Sequence, residues 1–182
     1  MTSKKERVFV TGATGDIGRG VVRGLIRHAI ETSAYVRDEK KGQELFGEEL
    51  KTGLLKLVVG TYSTVDVFTQ AIQGHTRLFL LFAPVGSKPS DMHQVKGTLG
   101  KIAYEQGVRQ IVDLSSAFVG TFGKRGIIGY MHTTAEEKLW TLAEENPDER
   151  SLVILRPGAF MSNHLTQDIH HIKHANKLVS CA

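Results

Sequence analysis

Apolar and polar positions divide this chain into short apolar runs and longer stretches with helical spacing. Six of the runs are typical of buried strands, because a strand covered on both faces is nearly continuous in apolar residues. They cover residues 7–11, 32–36, 54–59, 78–82, 110–114 and 151–156. The alternation predicts an α/β protein with a doubly wound parallel sheet, in the strand order 3-2-1-4-5-6.

The helices are predicted from their caps and from the apolar face each presents. Asp38 is expected to cap the helix after the second strand, which is predicted to run through Phe46. Ser63 and Asp66 resemble a capping box for the next helix. The stretch 115–129 is rich in glycine and serine and is expected to be a mobile loop, followed by a helix from about residue 132 to residue 145.

The composition restricts the partners and the location that we expect. The chain has 182 residues, a net charge of +4 and one cysteine, Cys181, so an internal disulfide framework is excluded. Its basic residues form no stripe, and no stretch has the apolar length of a membrane span. No apolar signal region precedes the first strand. We therefore expect a cytoplasmic protein with neither nucleic acid nor membrane as its partner.

The first strand leads directly into a loop with glycines at positions 12, 15 and 18, and then into a helix. This strand–loop–helix context is what a dinucleotide-binding loop requires, although a glycine-rich turn that only packs a helix on a sheet is the alternative. The three glycines would permit the tight turn, the approach of a pyrophosphate, and close helix–sheet packing. The helix N-terminus would hold the anion. The predicted binding residues in this loop are Gly12, Thr14, Gly15, Asp16, Ile17 and Gly18.

Further candidates lie at the carboxyl ends of other strands, where open parallel sheets bind ligands. Phe82 and Ala83 follow the fourth strand, and Arg37 follows the second, where the cofactor ribose would lie. A guanidinium there suits the 2′-phosphate of NADP, whereas an acid would indicate NAD. Asp38 stands at about the spacing of such an acid, but we interpret it as a helix cap. NADP is therefore the expected cofactor and NAD the less favoured one, unless Arg37 is only solvated surface.

Four stretches of the chain form a recognisable pattern: TGATGDIG, YVRD, AYEQGVRQIVDLSS and ILRPGAFMSN. With them, the chain resembles the NmrA-like group of atypical short-chain dehydrogenases/reductases, and the resemblance covers residues 6 to about 165. The resemblance implies that the first stretch binds NAD(P), and that the Arg-Pro-Gly stretch with Pro157 lines the nicotinamide end. Members of the group include reductases of quinone-like or phenolic substrates. Others are regulators that bind the dinucleotide without known chemistry.

The sequence departs from the family pattern in three respects. Gly60 is followed by Thr61, where the family often has an aspartate near the adenine. Tyr130 is followed four residues later by Thr134, so the Tyr-xxx-Lys pair of the reductases is broken. Family chains are also longer, so the C-terminal substrate domain is expected to be largely absent. We expect residues 1–158 to form the NAD(P)-binding domain and residues 159–182 to be a remnant of the substrate region.

The weak catalytic candidates are Ser116, Tyr130 and His132, with Ser115 beside them. By resemblance, the tyrosine would protonate a carbonyl, and a protonated histidine would partly replace the missing lysine. The alternative is that Tyr130 packs in a loop and His132 caps a helix. His170 and His174 share a helical spacing, but no further ligand pattern accompanies them, so no metal site is predicted.

These observations favour an NADP(H)-binding protein that acts as a dinucleotide-sensing or regulatory module with little or no catalysis. The alternative is an NADPH-dependent reductase of a small quinone or carbonyl compound, so whether the protein is an enzyme stays open. The sixth strand is apolar from Leu152 to Leu155 and would lack its usual cover. An uncovered edge can pair with another chain, so we expect either a homo-oligomer or a marginal monomer with a disordered tail.

Overall fold

The computed structural model describes residues 5–82, 91–119 and 126–158, together with Phe160 and Lys173. Strands and helices alternate throughout these ranges, as the apolar pattern predicts. The strands are β1 (Arg7–Val10), β2 (Glu31–Val36), β3 (Leu55–Val59), β4 (Arg77–Leu80), β5 (Gln110–Leu114) and β6 (Ser151–Leu155). The helices are α1 (Asp16–Arg27), α2 (Glu39–Lys51), α3 (Val65–Ile72), α4 (Met92–Glu105) and α5 (Ile127–Glu144).

The six strands form one parallel sheet in the order β3-β2-β1-β4-β5-β6. Phe9 in β1 lies opposite Ser33 in β2 and Leu78 in β4, so β1 is central and the chain reverses its direction of travel between β1 and β4. The predicted doubly wound topology is confirmed. All six carboxyl ends therefore lie on one edge of the sheet, and that edge carries the loops after β1, β2, β4 and β5.

The core lies on the two faces of the sheet, because successive strand residues point to opposite sides. On one face, Phe9 packs with Phe68 of α3, Leu99 of α4 and Leu139 of α5. On the other face, the neighbouring Val10 packs with apolar residues of α1 and α2, among them Val22 and Phe46. The domain therefore has three layers, with α1 and α2 on one side and α3, α4 and α5 on the other.

Two helix predictions are confirmed in type but were wrong in extent. Helix α2 continues five residues beyond Phe46 to Lys51, although Phe46 itself has a non-helical backbone (φ −119°, ψ 21°). Helix α5 begins at Ile127, inside the stretch that we expected to be a loop. The apolar residues at its start lack the regular spacing of a buried face, since Ile127 and Ile128 are both exposed.

The two predicted caps differ in outcome. The carboxylate of Asp38 accepts a hydrogen bond from the backbone N–H of Lys41 at 3.1 Å, so its role as the cap of α2 is confirmed. The capping box at Ser63 and Asp66 was wrong, because the N-cap of α3 is Thr64. Its hydroxyl accepts from the backbone N–H of Thr61 at 2.7 Å, outside the helix.

The carboxyl-terminal part of the chain is described only up to β6 and the residues just after it. Among the described strands, β6 lies at an edge of the sheet, with Val153 and Leu155 exposed. Self-association through this edge stays a prediction, and the predicted helix and tail over 159–182 lie almost wholly outside the described residues. None of the described helices is long and apolar enough to cross a membrane.

Candidate functional site

The loop between β1 and α1 makes a tight turn that requires glycine at two positions. Gly12 has φ +61°, a left-handed conformation that disfavours other residues. A Cβ on Gly18 would lie 2.2 Å from the carbonyl oxygen of Gly12, far inside any real contact. A Cβ on Gly15 would meet nothing nearer than 3.4 Å, so the fold itself leaves room there. The absence of a side chain at Gly15 therefore suits a ligand rather than the packing of the protein.

The amino end of α1 opens at this turn. Gly15 is its N-cap, with extended backbone and no side-chain hydrogen bond to the cap, and Asp16 and Ile17 form the first turn. The Asp16 carboxylate points to solvent, where it pairs with Arg19 at 3.1 Å. The exposed N–H groups and the positive end of the helix dipole make this turn suitable for an anion.

A cavity of about 250 Å³ adjoins the turn and extends across the carboxyl ends of β1, β2, β3 and β4. The sequence-predicted residues Gly12, Thr14, Gly15 and Arg37 lie on its wall. Lys41, which was expected to add positive charge beside Arg37, lies on the same wall. The structure adds five residues that the sequence did not single out as cofactor-binding: Tyr35, Gly60, Thr61, Tyr62 and Leu81. The cavity lies at the reversal between β1 and β4, where ligands bind in sheets of this topology.

Two cations and no carboxylate line this cavity. The cations are Arg37 at the end of β2 and Lys41 in the first turn of α2, and both are exposed. In the described part of the chain, no carboxylate lies within ion-pair distance of Arg37. The carboxylate of Asp38 is turned to the α2 backbone as its cap. The electrostatics of the cavity therefore favour an anion next to Arg37.

Aromatic side chains form the opposite wall. The hydroxyl of Tyr35 donates to the carbonyl of Thr61 at 2.7 Å, and the hydroxyl of Tyr62 donates to the carbonyl of Leu81 at 3.0 Å. Burial raises the pKa of Tyr62 to about 12, so it stays a neutral donor. The Phe82 ring packs edge-on against Tyr62 at 4.8 Å, which places Phe82 behind the wall. The first of these bonds ties β2 to the loop after β3, and the second ties that loop to the residue after β4.

A second group of polar side chains lies at the carboxyl end of β5, next to α5 and β6. Ser115 and Glu136 are both buried, and the Ser115 hydroxyl donates to the Glu136 carboxylate. Arg156, just after β6, donates to the same carboxylate from Nε at 3.0 Å and from a second guanidinium nitrogen. On the other side, Oγ of Ser115 lies 3.4 Å from Nδ1 of His132. The four side chains form one connected network.

A fully buried ion pair lies behind this network. Nζ of Lys96 in α4 is 2.8 Å from a carboxylate oxygen of Asp113 in β5, and neither side chain is exposed. The same ammonium donates to the carbonyl of Leu114 at 2.9 Å. Burial raises the pKa of Asp113, which the Lys96 charge opposes. The Lys96 ammonium of this pair acts as a positive charge on the nearby ring of His132.

The surroundings of His132 keep its ring neutral. Burial is the largest cause and the Lys96 charge the second, and together they lower the pKa of His132 to about 4, although Glu136 acts in the opposite direction. These surroundings disfavour a protonated His132 in the place of the missing lysine, and that role stays a prediction. The alternative role of His132 as a helix cap was wrong, because His132 lies inside α5.

The other catalytic candidates lie apart from this network. Tyr130 is 54% exposed in the first turn of α5, so it does not pack in a loop as the alternative had it. The Thr134 hydroxyl, at the position of the missing lysine, donates to the Tyr130 carbonyl of its own helix at 3.0 Å. The Ser116 hydroxyl accepts from the backbone N–H of Phe118 at 3.2 Å. Among the described contacts, Ser115 rather than Ser116 joins His132.

The remaining predicted residues are described in part. Pro157 accepts a hydrogen bond from the backbone N–H of Ala117 at 2.9 Å, which holds it against the loop after β5. Ala83 lies outside the described residues, as do His170 and His174. The described residues contain no group of three or more side chains placed to hold a metal ion.

Sequence reasoning did not single out Glu136 of this network or the ion pair of Lys96 and Asp113 behind it, and it named Arg156 only as part of the Arg-Pro-Gly stretch. For the ion pair, the sequence did contain a signal. Asp113 is the one charge in the otherwise apolar end of its strand, and Lys96 stands on the helix face that carries Met92 and Leu99. A charge on a buried face requires a partner, so the two could have been paired.

A larger cavity, of about 680 Å³, lies at the opposite edge of the sheet, by the amino ends of β4, β5 and β6. Several of its charged side chains form ion pairs with each other or with neighbours. Glu6 binds Arg77 at 2.8 Å and Arg109 at 3.6 Å, and Arg150 binds Glu145 at 2.8 Å. Sheets of this topology bind their ligands at the other edge.

The glycine turn, the cavity at the β1/β4 reversal and the parallel sheet together define a dinucleotide-binding domain of the Rossmann type. The NAD(P)H-binding protein family matches residues 12–180 of the chain. An NmrA-like family domain-containing oxidoreductase of Penicillium ochrochloron is 28% identical over 175 residues. The chain therefore belongs to the NAD(P)H-binding family.

Two further comparisons agree with this assignment. A ketoreductase of Cercospora nicotianae is 28% identical over 138 residues, which make up 66% of this chain. The structure of an NADPH-dependent quinone oxidoreductase from Escherichia coli, complexed with NADPH, superposes with a TM-score of 0.69 at 20% identity, over 92% of this chain. The chain spans 50% of the Penicillium protein, 39% of the ketoreductase and 54% of the quinone oxidoreductase chain.

Proposed function

We propose that this chain binds NADP(H) in preference to NAD(H). The observation that carries the proposal is the pair of cations, Arg37 and Lys41, in a cavity without a lining carboxylate. An NAD site of this fold has an acid at the end of the second strand to hold the ribose 2′-hydroxyl. Here that position is Arg37, whose planar guanidinium can bind two phosphate oxygens at once.

The residues present fit such a dinucleotide. Gly12 and Gly15 would hold the pyrophosphate with their backbone, because the fold leaves the space at Gly15 free. Arg37 and Lys41 would hold the 2′-phosphate, and the tyrosine wall would lie against the adenosine. The chemistry that the nicotinamide supplies when bound is hydride transfer. We assign this binding to residues 1–158, with Asp16, Ile17, Gly18, Phe82, Ala83 and Pro157 as further binding residues.

For the role of the bound dinucleotide, we propose sensing or regulation with little or no catalysis. Support comes from the state of the candidate acids. Tyr130 is 54% exposed, and Thr134 stands where the reductases have a lysine, with its hydroxyl bonded to its own helix. Burial lowers the pKa of His132 to about 4, so at neutral pH the ring is not the doubly protonated imidazolium that could act as an acid. A reductase needs an acid positioned and tuned for the carbonyl oxygen.

The second candidate function is reduction of a small carbonyl or quinone compound. The observation in its favour is the buried network of Ser115, His132 and Glu136 at the carboxyl end of β5, the edge that holds the cofactor cavity. A polar network of this kind is costly to bury unless it orders a site. The relatives named as a ketoreductase and as a quinone oxidoreductase support the same substrate classes.

One experiment separates the two functions. We would measure the affinity for NADPH and NADH by titration calorimetry, and then NADPH consumption with a panel of small quinones and carbonyl compounds. Tight NADPH binding without consumption supports the regulatory role. Consumption that is lost in a Ser115→Ala variant, with NADPH affinity retained, supports the reductase. Failure to bind either dinucleotide contradicts the whole proposal.

A further inference from the structure

We infer that residues 159–182 pack as an amphipathic helix on the open apolar face of β5 and β6, on the same side of the sheet as α1 and α2. The occupant of that face is therefore a segment of this chain and not a second copy of it. An uncovered face of the sheet and the residue pattern of the stretch after β6 support this placement independently of each other.

The two faces of β5 and β6 differ in how well they are covered. Ile111 and Leu152 are partners in the register, and both pack in the core beneath α4 and α5. Val112 and Val153 are the next pair along the strands, so they point to the other side. There Val153 is 38% exposed, and Leu155, two residues further on, is 42% exposed. An apolar strip is therefore open on this side of the sheet.

The described helices on this side cover the other end of the sheet. Helices α1 and α2 pack against β1, β2 and β3. Phe79, Val112 and Val153 form one row across β4, β5 and β6. Phe79 is buried, Val112 is half-buried and Val153 is exposed, so the cover ends along this row. Because a parallel sheet is normally covered on both faces, we expect a further element over β5 and β6.

The chain leaves β6 at a point from which it can supply that element. The carbonyl of Pro157 accepts a hydrogen bond from the backbone N–H of Ala117 at 2.9 Å, which holds the chain at the carboxyl edge of the sheet. Strands β5 and β6 have 5 residues each, so a helix of about 11 residues spans their length of about 16 Å. Since a helix is about 10 Å wide and neighbouring strands are about 4.8 Å apart, one helix covers both strands.

The stretch after β6 has the apolar pattern that such a helix needs. Its large apolar residues recur at intervals of 4, 4, 3 and 7 positions, at Met161, Leu165, Ile169, Ile172 and Val179. On a helix these positions form one stripe about 100° wide or less, and most of the residues between them are polar. Lys173, which lies outside the stripe, is helical and exposed. The family match extends to residue 180, so nearly all of this stretch lies within the matched region.

A second copy of the chain would cover this surface less completely. Pairing of two β6 strands, which the sequence also suggests, would satisfy the free N–H and C=O groups of the edge. The side chains of Val153 and Leu155 would stay open to water, because side chains stand perpendicular to the plane in which strands pair. A helix that lies on the face removes this apolar surface from water.

The first experiment locates the stretch in the full chain. Cys181 is the one cysteine, so a nitroxide label can be attached there without a further substitution. A helix that runs back from the carboxyl edge brings Cys181 to the amino ends of β5 and β6. We expect the label to broaden the backbone amide signals of Gln110 and Ser151 much more than that of Leu55, at the amino end of β3. The reference spectrum is that of the same sample after reduction of the nitroxide.

The second experiment tests the contact by amide hydrogen exchange over residues 161–179. We expect protection in the unmodified chain and exchange about tenfold faster in Val153→Ser, as for the loss of one buried apolar side chain. Val59→Ser is the matched control, because Val59 is a strand valine, 45% exposed, on β3 at the other edge of the sheet. Leu165→Ser should act like Val153→Ser, and Gln167→Ser, on the opposite side of the helix, should have no effect.

Several results would overturn the inference. One is fast exchange over residues 161–179 in the unmodified chain, and another is an equal effect of Val153→Ser and Val59→Ser. A third is broadening of Gln110 and Ser151 that appears only when nitroxide-labelled chains are mixed with ¹⁵N-labelled chains, since it would assign the face to a second copy. All measurements are made without a dinucleotide, so they do not depend on whether NADPH binds.

Discussion

Replacing Arg37 with alanine should reduce the affinity for NADPH while leaving the affinity for NADH nearly unchanged. Arg37 is exposed at the end of β2, on the wall of the cofactor cavity. In the described part of the chain it has no ion-pair partner, so its removal breaks no contact of the fold. The change in affinity then reports only the contact with the ligand.

The expected size follows from the kind of bond that is lost. A hydrogen bond to a charged group contributes about 1.5–3 kcal/mol. At about 1.4 kcal/mol per tenfold, this predicts NADPH binding weakened about ten- to hundredfold. Because Arg37 is exposed and Lys41 remains nearby, we expect the lower end of that range. The difference should also shrink as salt is added, since exposed charges are screened over about 8–10 Å at physiological ionic strength.

The assay is titration calorimetry with both dinucleotides at low and physiological salt. Lys40→Ala is the matched control, because it removes the same charge from the first turn of α2, and Lys40 is not on the cavity wall. The control should change NADPH affinity much less than Arg37→Ala does. Equal weakening of NADPH and NADH by Arg37→Ala, or equal effects of the two variants on NADPH, would refute the assignment of the 2′-phosphate to Arg37.

Three further predictions concern the fold and the buried network. Gly15→Val should retain the thermal midpoint and lose NADPH binding, whereas Gly18→Ala should already lower the midpoint, because a Cβ at Gly18 meets backbone at 2.2 Å; equal loss of stability in both would contradict this. Lys96→Met should destabilise the protein by about 3–5 kcal/mol in urea, because it leaves the Asp113 charge buried alone, and adding Asp113→Leu should restore most of it. The pKa of His132, near 4 in the folded chain, lies below its unfolded value, so protonation favours the unfolded chain and stability falls as the pH drops from about 6.5 to about 4. The free energy of unfolding in urea should fall across that range by at most about 3 kcal/mol more in the unmodified chain than in His132→Gln, and parallel pH profiles of the two chains would contradict this.

The sequence alone determined the topology and the location of the cofactor loop. Both follow from local rules. Continuous apolar runs indicate strands buried on two faces, and the regular alternation with helices leaves few ways to connect a parallel sheet. The turn at Gly12 and Gly18 could be predicted for the same reason, since each is required by backbone geometry within a few residues of the chain.

Where the prediction failed, the deciding contact lies far away in the sequence. From its apolar side chain, Trp140 is expected on the core face of its helix together with Leu139 and Ala143. Leu139 and Ala143 are buried, yet Trp140 is 46% exposed, because the face of α5 that meets α4 is set by packing. The start of α5 at Ile127 could not be predicted either, as the apolar residues of its first turn face solvent. Periodicity predicts which faces are apolar but not which of them the fold covers.

The candidate site depended most on the tertiary structure. Ser115, His132, Glu136 and Arg156 are separated by as many as 41 positions, from the end of β5 to the residue after β6, and they meet only because parallel strands bring their carboxyl ends to one edge. The sequence shows that His132 is present, but not which charged groups surround its ring. The low pKa of His132 is caused by burial and by the Lys96 ammonium, and neither is a property of the local sequence.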